Sequence, residues 1–100
     1  MWEWFGAIER RIGDVARRAR LLLASHWLKV GEFDKALECA RELIAADDLD
    51  EAGWELSIRA HLASGSVSES QRDFRVYREL LARELAVEPP PSLAALVSFS

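Results

Sequence analysis

Two glycines, Gly31 and Gly65, stand 34 positions apart, each between stretches whose apolar residues recur at steps of three and four. That stepping places apolar side chains on one face of a helix, and a glycine just past the last turn can take the positive φ that ends it. Trp4, Ile8, Ile12, Val15, Ala19, Leu22, Leu23, His26 and Trp27 mark one face of a long first helix. Phe33, Ala36, Leu37, Ala40, Leu43 and Ile44 mark a second, and Trp54, Ile58, His61 and Leu62 a third. Phe74, Tyr77, Leu80, Leu81 and Leu85 mark a fourth. Nowhere do apolar and polar residues alternate over a sustained run, so no strand is expected and the fold class is all-α. With 100 residues, 50% of them apolar and 30% charged, the chain has the composition of one small globular core.

A period of 34 residues is that of the tetratricopeptide repeat, a helix–turn–helix unit. On this pattern Gly31, Phe33, Ala36 and Ala40 take the glycine, aromatic and small-residue positions of one repeat. Trp54 and Gly65 take the leading tryptophan and glycine positions of the next. The small residues let two antiparallel helices approach closely. Asp48 stands where a closing proline is usual, Ser70 where alanine is usual, and Phe74 and Tyr77 replace small residues, so the repeats are degenerate. Asp50 or Asp48 can still N-cap the third helix, whose positive end suits a carboxylate. After the fourth helix, Pro89, Pro90 and Pro91 force an extended segment, because each proline disfavours helix at the residue before it. Leu93, Leu96 and Val97 can then turn back as an apolar cap. The expected architecture is an antiparallel helical array of two degenerate tetratricopeptide-like hairpins, with a long first helix and a short C-terminal helical cap. It forms a single domain over 1–100: repeat one about 17–50, repeat two about 51–84 and the cap 89–100.

Other classes find little support in the residues. Cys39 is the one cysteine, so no internal disulfide can form, and a reducing, cytoplasmic setting is expected. The start "MWEWFGAIERR" lacks the layout of a secretory signal, and "LLLA" at 21–24 is too short to span a membrane. A net charge of −4 gives no reason to expect nucleic-acid binding by this chain alone. No phosphate-cradling glycine loop, GxSxG elbow or HExxH pair occurs. The acid pairs Asp47/Asp48 and Glu51/Glu55 fall where a solvated turn is expected, not in the dry pocket that paired-carboxylate catalysis needs. His26 and His61 have no close ligating neighbour, which favours core or rim histidines over a metal site. Cys39, beside Glu38, reads as an inert helix residue. No enzyme, catalytic residue, cofactor or metal is expected.

The segment "RVYRELLARELAVEPPPS" (75–92) carries Tyr77, Leu80, Glu84, Leu85, Val87, Glu88, Pro89 and Pro91 at a characteristic spacing. With "DEAGWELSIRAHLASG" (50–65) and "WFGAIERRI" (4–12), it resembles the bacterial transcriptional activator domain over nearly the whole chain. That family is an all-helical, tetratricopeptide-like module that follows a winged-helix DNA-binding domain in antibiotic-regulatory-type activators. The chain departs from it at Ala86, where glycine is usual, at Pro90, where a helix-capping residue is usual, and in the short ending "SLAALVSFS". The resemblance implies an effector or oligomerisation domain separated from its DNA-binding partner, with DNA read elsewhere.

Two surfaces are candidates for protein contact. The end face carries Trp2, Trp4 and Phe5, aromatics crowded at a chain end where little core can cover them; they mark an interface or fold back onto the fourth helix. The concave groove of the repeats would be lined by Arg18, Leu21, Ser25, Leu28 and Lys29 from the first hairpin, and by Ala52, Glu55, Arg59, Leu62 and Ala63 from the second. Arg18, Leu28, Lys29, Glu55 and Arg59 are its principal contact residues. Leu21 and Ser25 occupy positions where chaperone-binding repeats clamp a peptide carboxylate with Lys and Asn, so that clamp is absent. Arg10, Arg11, Arg17 and Arg18 make a basic stripe, either a partner contact or a solvated face; the acidic stretch 32–55 could satisfy it from within. The partner is a protein: the winged-helix domain, another copy in a homodimer, or the transcription machinery. The alternative function is a stand-alone scaffold for a peptide or partner protein.

Overall fold

The computed structural model describes the backbone of residues 2–98 and the side chains of residues 6–98. Five α-helices follow one another: α1 (Trp2–Lys29), α2 (Phe33–Ala46), α3 (Glu51–Ala63), α4 (Val67–Leu85) and α5 (Pro91–Ser98). No strand occurs among the described residues.

Both glycine turns form as expected. Gly31 has φ +82° and Gly65 φ +84°. At the first, the Gly31 N–H donates to the Leu28 carbonyl (3.3 Å) and the Glu32 N–H to that of Trp27 (2.8 Å). At the second, Gly65 donates to Leu62 (3.1 Å) and Ser66 to His61 (2.7 Å). The same two bonds, repeated 34 residues on, satisfy carbonyls that the helix ends would otherwise leave open.

The turn from α2 to α3 depends on its aspartates. Asp47 accepts from the Leu49 N–H at 3.0 Å, Asp48 offers its carbonyl to the Trp54 indole N–H at 2.8 Å, and Asp50 N-caps α3 through the Ala52 N–H at 3.1 Å. Here Asp50, not Asp48, is the cap. A turn usually closed by proline is closed instead by side-chain and carbonyl hydrogen bonds.

α4 ends at Ala86, which takes the left-handed conformation at φ 54°, ψ 39°. Glycine adopts that geometry freely, whereas a residue with a Cβ gives up about 1–2 kcal/mol there. Past it, Pro91 opens α5 at the position where a missing N–H costs nothing. The Pro90 carbonyl receives the Leu93 and Ala94 N–H groups at 3.0 and 3.2 Å, so the turn starts without a capping side chain. Leu93 is 2% exposed, and Leu96 and Val97 pack beside it. The tail is the expected apolar cap.

The core has two textures. Between α3, α4 and α5 it is bulky: Trp54, Ile58, Tyr77, Leu80, Leu81 and Leu93, with Trp54 and Tyr77 stacked at 5.6 Å between ring centres. Between α1, α2 and α3 it is built on small residues: Ala24, Ala36, Ala40 and Ala60 are wholly buried beside Leu37, Leu43 and Leu56. Gly53 belongs to this half, and a Cβ placed on it would meet Ile44 Cγ1 at 3.0 Å and Leu43 Cβ at 3.1 Å. Close approach of α2 and α3 is what excludes a side chain here.

α1 departs from the stripe read along it. The residues that pack inward are Leu21, Ala24, Trp27 and Leu28. Ile12, Val15 and Leu22 are 64%, 65% and 69% exposed, and Leu23 and Ile8 also lie open. Of that stripe's described residues, only Trp27 turns toward the core, where the Lys35 ammonium sits 4.4 Å from its ring centre. Every residue from 7 to 15 is exposed, Ile8 at 37%, and the first half of α1 projects beyond the array; the molecule's principal extents are 51 × 35 × 18 Å.

Candidate functional site

The groove begins with what α1, α3 and α5 leave between them. Leu28, Arg59, Leu62, Ala63 and Leu96 line an open concavity of about 440 Å³. Of the expected groove residues, Leu28, Arg59, Leu62 and Ala63 therefore meet there. Glu55 joins them through its ion pair with Arg59 at 3.3 Å, an i,i+4 contact on α3. Arg18 and Lys29 do not line this concavity: Lys29 is exposed in the last turn of α1, and Arg18 lies three turns earlier. Leu96 was assigned only to the cap; its place in the groove follows from α5 packing beside α3. The side chains of Trp2, Trp4 and Phe5, the expected end face, lie outside the described residues.

The arginines of α1 divide into two groups. Arg17 donates to Asp50 through Nε at 2.8 Å and Nη2 at 3.1 Å, and Arg20 donates to Glu42 at 3.0 Å. These two fasten α1 onto the α2–α3 hairpin; of the stripe, Arg17 is satisfied from the acidic stretch 32–55. Arg10, Arg11 and Arg18 make no ion pair with any described residue.

Asp50 is almost wholly buried, and its carboxyl is held below the ordinary carboxylate range, first by the hydrogen bond from Arg17. Burial opposes that shift, while the Arg17 charge and the Gly53 and Ala52 N–H groups add to it. A carboxyl lowered on folding stabilises the fold above its unfolded pKa of about 3.9, and the contribution disappears as pH falls through the folded value. Asp50→Asn keeps a capping oxygen but removes the charge. Because the Arg17 side chain is 51% exposed, solvent screening holds the expected loss to about 1 kcal/mol at pH 7. Urea midpoints measured from pH 7 to pH 3 are expected to converge below about pH 4. A gap that stays constant across that range would contradict the charge-based account.

A second concavity, about 350 Å³, opens between α2, α3 and α4, lined among others by Arg41, Ile44, Trp54, Glu69 and Arg72. Ser57 donates to Asp73 Oδ2 at 2.5 Å, and His61 Nε2 lies 3.4 Å from the same oxygen. The carboxylate stands between hydroxyl and imidazole, whereas activating a serine needs the imidazole in the middle. The trio ties α3 to α4. Sequence reading missed it, although Ser57 and His61 at i,i+4 were a usable hint once Asp73 was placed on the facing helix. His61 is thus a rim histidine held by a carboxylate.

The Cys39 thiol is pushed above its ordinary value, first by burial and then by Glu42 and Glu38, which disfavours the thiolate. Among the described residues no group of three or more His, Cys, Asp or Glu could hold a metal ion, and no helix is long and apolar enough to cross a membrane.

The model of the bacterial transcriptional activator domain matches residues 3–98, from the projecting start of α1 to the end of α5. No curated protein and no solved structure matches the chain. A match over nearly the entire length settles the affiliation: this protein belongs to the bacterial transcriptional activator domain family.

Proposed function

We propose that the chain is a protein-binding effector domain of a bacterial transcriptional activator, acting in the cytoplasm beside a winged-helix domain that reads the DNA. The observation that carries this reading is the open groove in which Leu28, Leu62 and Leu96 stand beside Arg59. Apolar anchors rimmed by a charge are a frequent composition for a peptide or helix contact. Glu55 holds the Arg59 guanidinium at the groove wall, and Arg18, Lys29 and the end-face residues Trp2, Trp4 and Phe5 are proposed as further contacts.

The test is a fusion of the chain to a heterologous winged-helix domain, with transcription read from a reporter carrying that domain's site. Leu28→Asp and Arg59→Glu are expected to lower reporter output roughly tenfold, the scale of losing one good contact of about 1.4 kcal/mol. Thermal melts of the isolated variants check that the fold survives. Unchanged output from folded groove variants would overturn the assignment of the groove.

A further inference from the structure

We propose that the outward face of α1 is a docking seam for an amphipathic helix of a different polypeptide, apolar at heptad spacing and acidic along the flank that meets Arg11 and Arg18. The proposal rests on the reading of the chain as a protein-binding domain and deepens it by naming the partner's chemistry.

Ile8, Ile12, Val15, Ala19, Leu22 and His26 follow one another at alternating steps of four and three. That is a period of 3.5, the seam of a coiled coil rather than the broader stripe of a helix packed on a globular core. All six are exposed. The array has its own separate claim on the helix: Arg17 and Ala24, seven apart, point the opposite way, to the Asp50 ion pair and the alanine-rich core. The seam is therefore an additional face. At its middle, Arg11, Ile12, Val15 and Ala16 bound an apolar concavity of about 370 Å³. These are residues i, i+1, i+4 and i+5, so the hollow lies between neighbouring ridges, where a side chain of a crossing helix seats.

Charge selects the occupant. In heptad register, Arg11 and Arg18 flank the seam on one side, and neither is neutralised by a described residue. The other flank carries Glu9, Ala16 and Leu23, with Arg10 further round the helix; Asp14 lies on the arginine side, three residues from Arg11 and four from Arg18, and forms no ion pair with either. A second copy answers this pattern poorly. Antiparallel pairing with Ile12 opposite Val15 brings Arg11 near Arg18 of the other copy, twice by symmetry. Parallel pairing sets the arginines against Ala16 and Leu23. Neither arrangement gives the cations a counter-charge, whereas acids along one flank of a foreign helix satisfy both.

The probes are two synthetic 28-residue peptides with leucine and isoleucine on the heptad seam, one with glutamate and the other with lysine at the flanking positions. Titrated into the full chain and followed by calorimetry, the glutamate peptide is expected to bind, more weakly as salt rises, and the lysine peptide is not. Arg11→Glu with Arg18→Glu is expected to weaken the glutamate peptide roughly tenfold or more. Ile12→Asp, an exposed substitution whose fold is checked by circular dichroism, is expected to abolish its binding. Equal binding of both peptides, binding of neither, or a chain that sediments as a dimer which Ile12→Asp dissolves would overturn the proposal. The groove variants Leu28→Asp and Arg59→Glu are expected to bind the glutamate peptide normally. Failure of the seam and failure of the groove thus give different results.

Discussion

Trp54→Ala is expected to remove about 3–5 kcal/mol of stability, the largest effect of any single truncation in the array. The indole is 8% exposed and lies at the junction of α3, α4 and α5, stacked on Tyr77 and surrounded by Ile58, Leu80, Leu81 and Leu93. Its N–H also closes the α2–α3 turn on the Asp48 carbonyl. Truncation leaves a cavity that helices held by the aspartate turn before α3 and the glycine turn between α3 and α4 can close only in part. A domain of this size has a total stability of about 5–15 kcal/mol, so the variant is left marginal or unfolded at room temperature. At about 4–8 °C per kcal/mol, its melting midpoint drops by some 15 °C or more. Trp54→Phe separates the contributions: most of the burial is kept and only the hydrogen bond is lost, for about 1 kcal/mol. Thermal melts followed at 222 nm decide between them. A Trp54→Ala midpoint within a few degrees of the parent would refute this account of the core.

Gly53→Val is expected to cost about 3 kcal/mol through the opposite fault, too much volume where α2 and α3 touch. The two nearest neighbours respond differently to a new Cβ. Ile44 Cγ1, at 3.0 Å, belongs to a partly exposed side chain that can turn away. Leu43 Cβ, at 3.1 Å, is fixed to its backbone in the core and cannot. Gly53→Ala brings the same clash but regains about 1 kcal/mol of helix propensity, so it is expected to be only mildly destabilising. Valine adds two methyls and a β-branched side chain, and regains less. Urea denaturation of Gly53→Ala and Gly53→Val measures the difference. A valine variant as stable as the parent would mean that the two helices are not in close contact.

Much of the architecture is legible in the sequence, because it rests on local chemistry. Gly31 and Gly65 announce helix ends that only a residue without a Cβ adopts freely, and Asp50 announces a helix start. The proline run announces the break before α5. What could not be read was the orientation of α1. Its sequence carries two apolar stripes, one through Ile8, Ile12, Val15 and Leu22 and another through Leu21, Ala24 and Leu28. Periodicity favours the first because its residues are larger, but the array selects the second because an alanine at position 24 lets α2 come close. The acceptors of Arg17 and Arg20 could not be read locally either: Asp50 and Glu42 lie 33 and 22 residues away. In the groove, Leu28 and Arg59 were within reach of repeat register, whereas Leu96 depended on how the tail folds back. The Ser57–Asp73–His61 tie required the placement of α4 on α3, which no local pattern contains.

The overhang of α1 gives the molecule an uneven energy profile. From residue 7 to residue 15 every residue of the helix is exposed, and none belongs to the described core clusters. A stretch of that length is marginal in water on its own, since each turn must be sustained by propensity and by the single anchored end at Arg17. Its amides are therefore expected to open and exchange with deuterium by local unwinding, far faster than those of α3, which exchange only when the whole array comes apart. The arm thus has a thermal life of its own, and a bound helix would register first as slowed exchange there, with the rest of the chain unchanged.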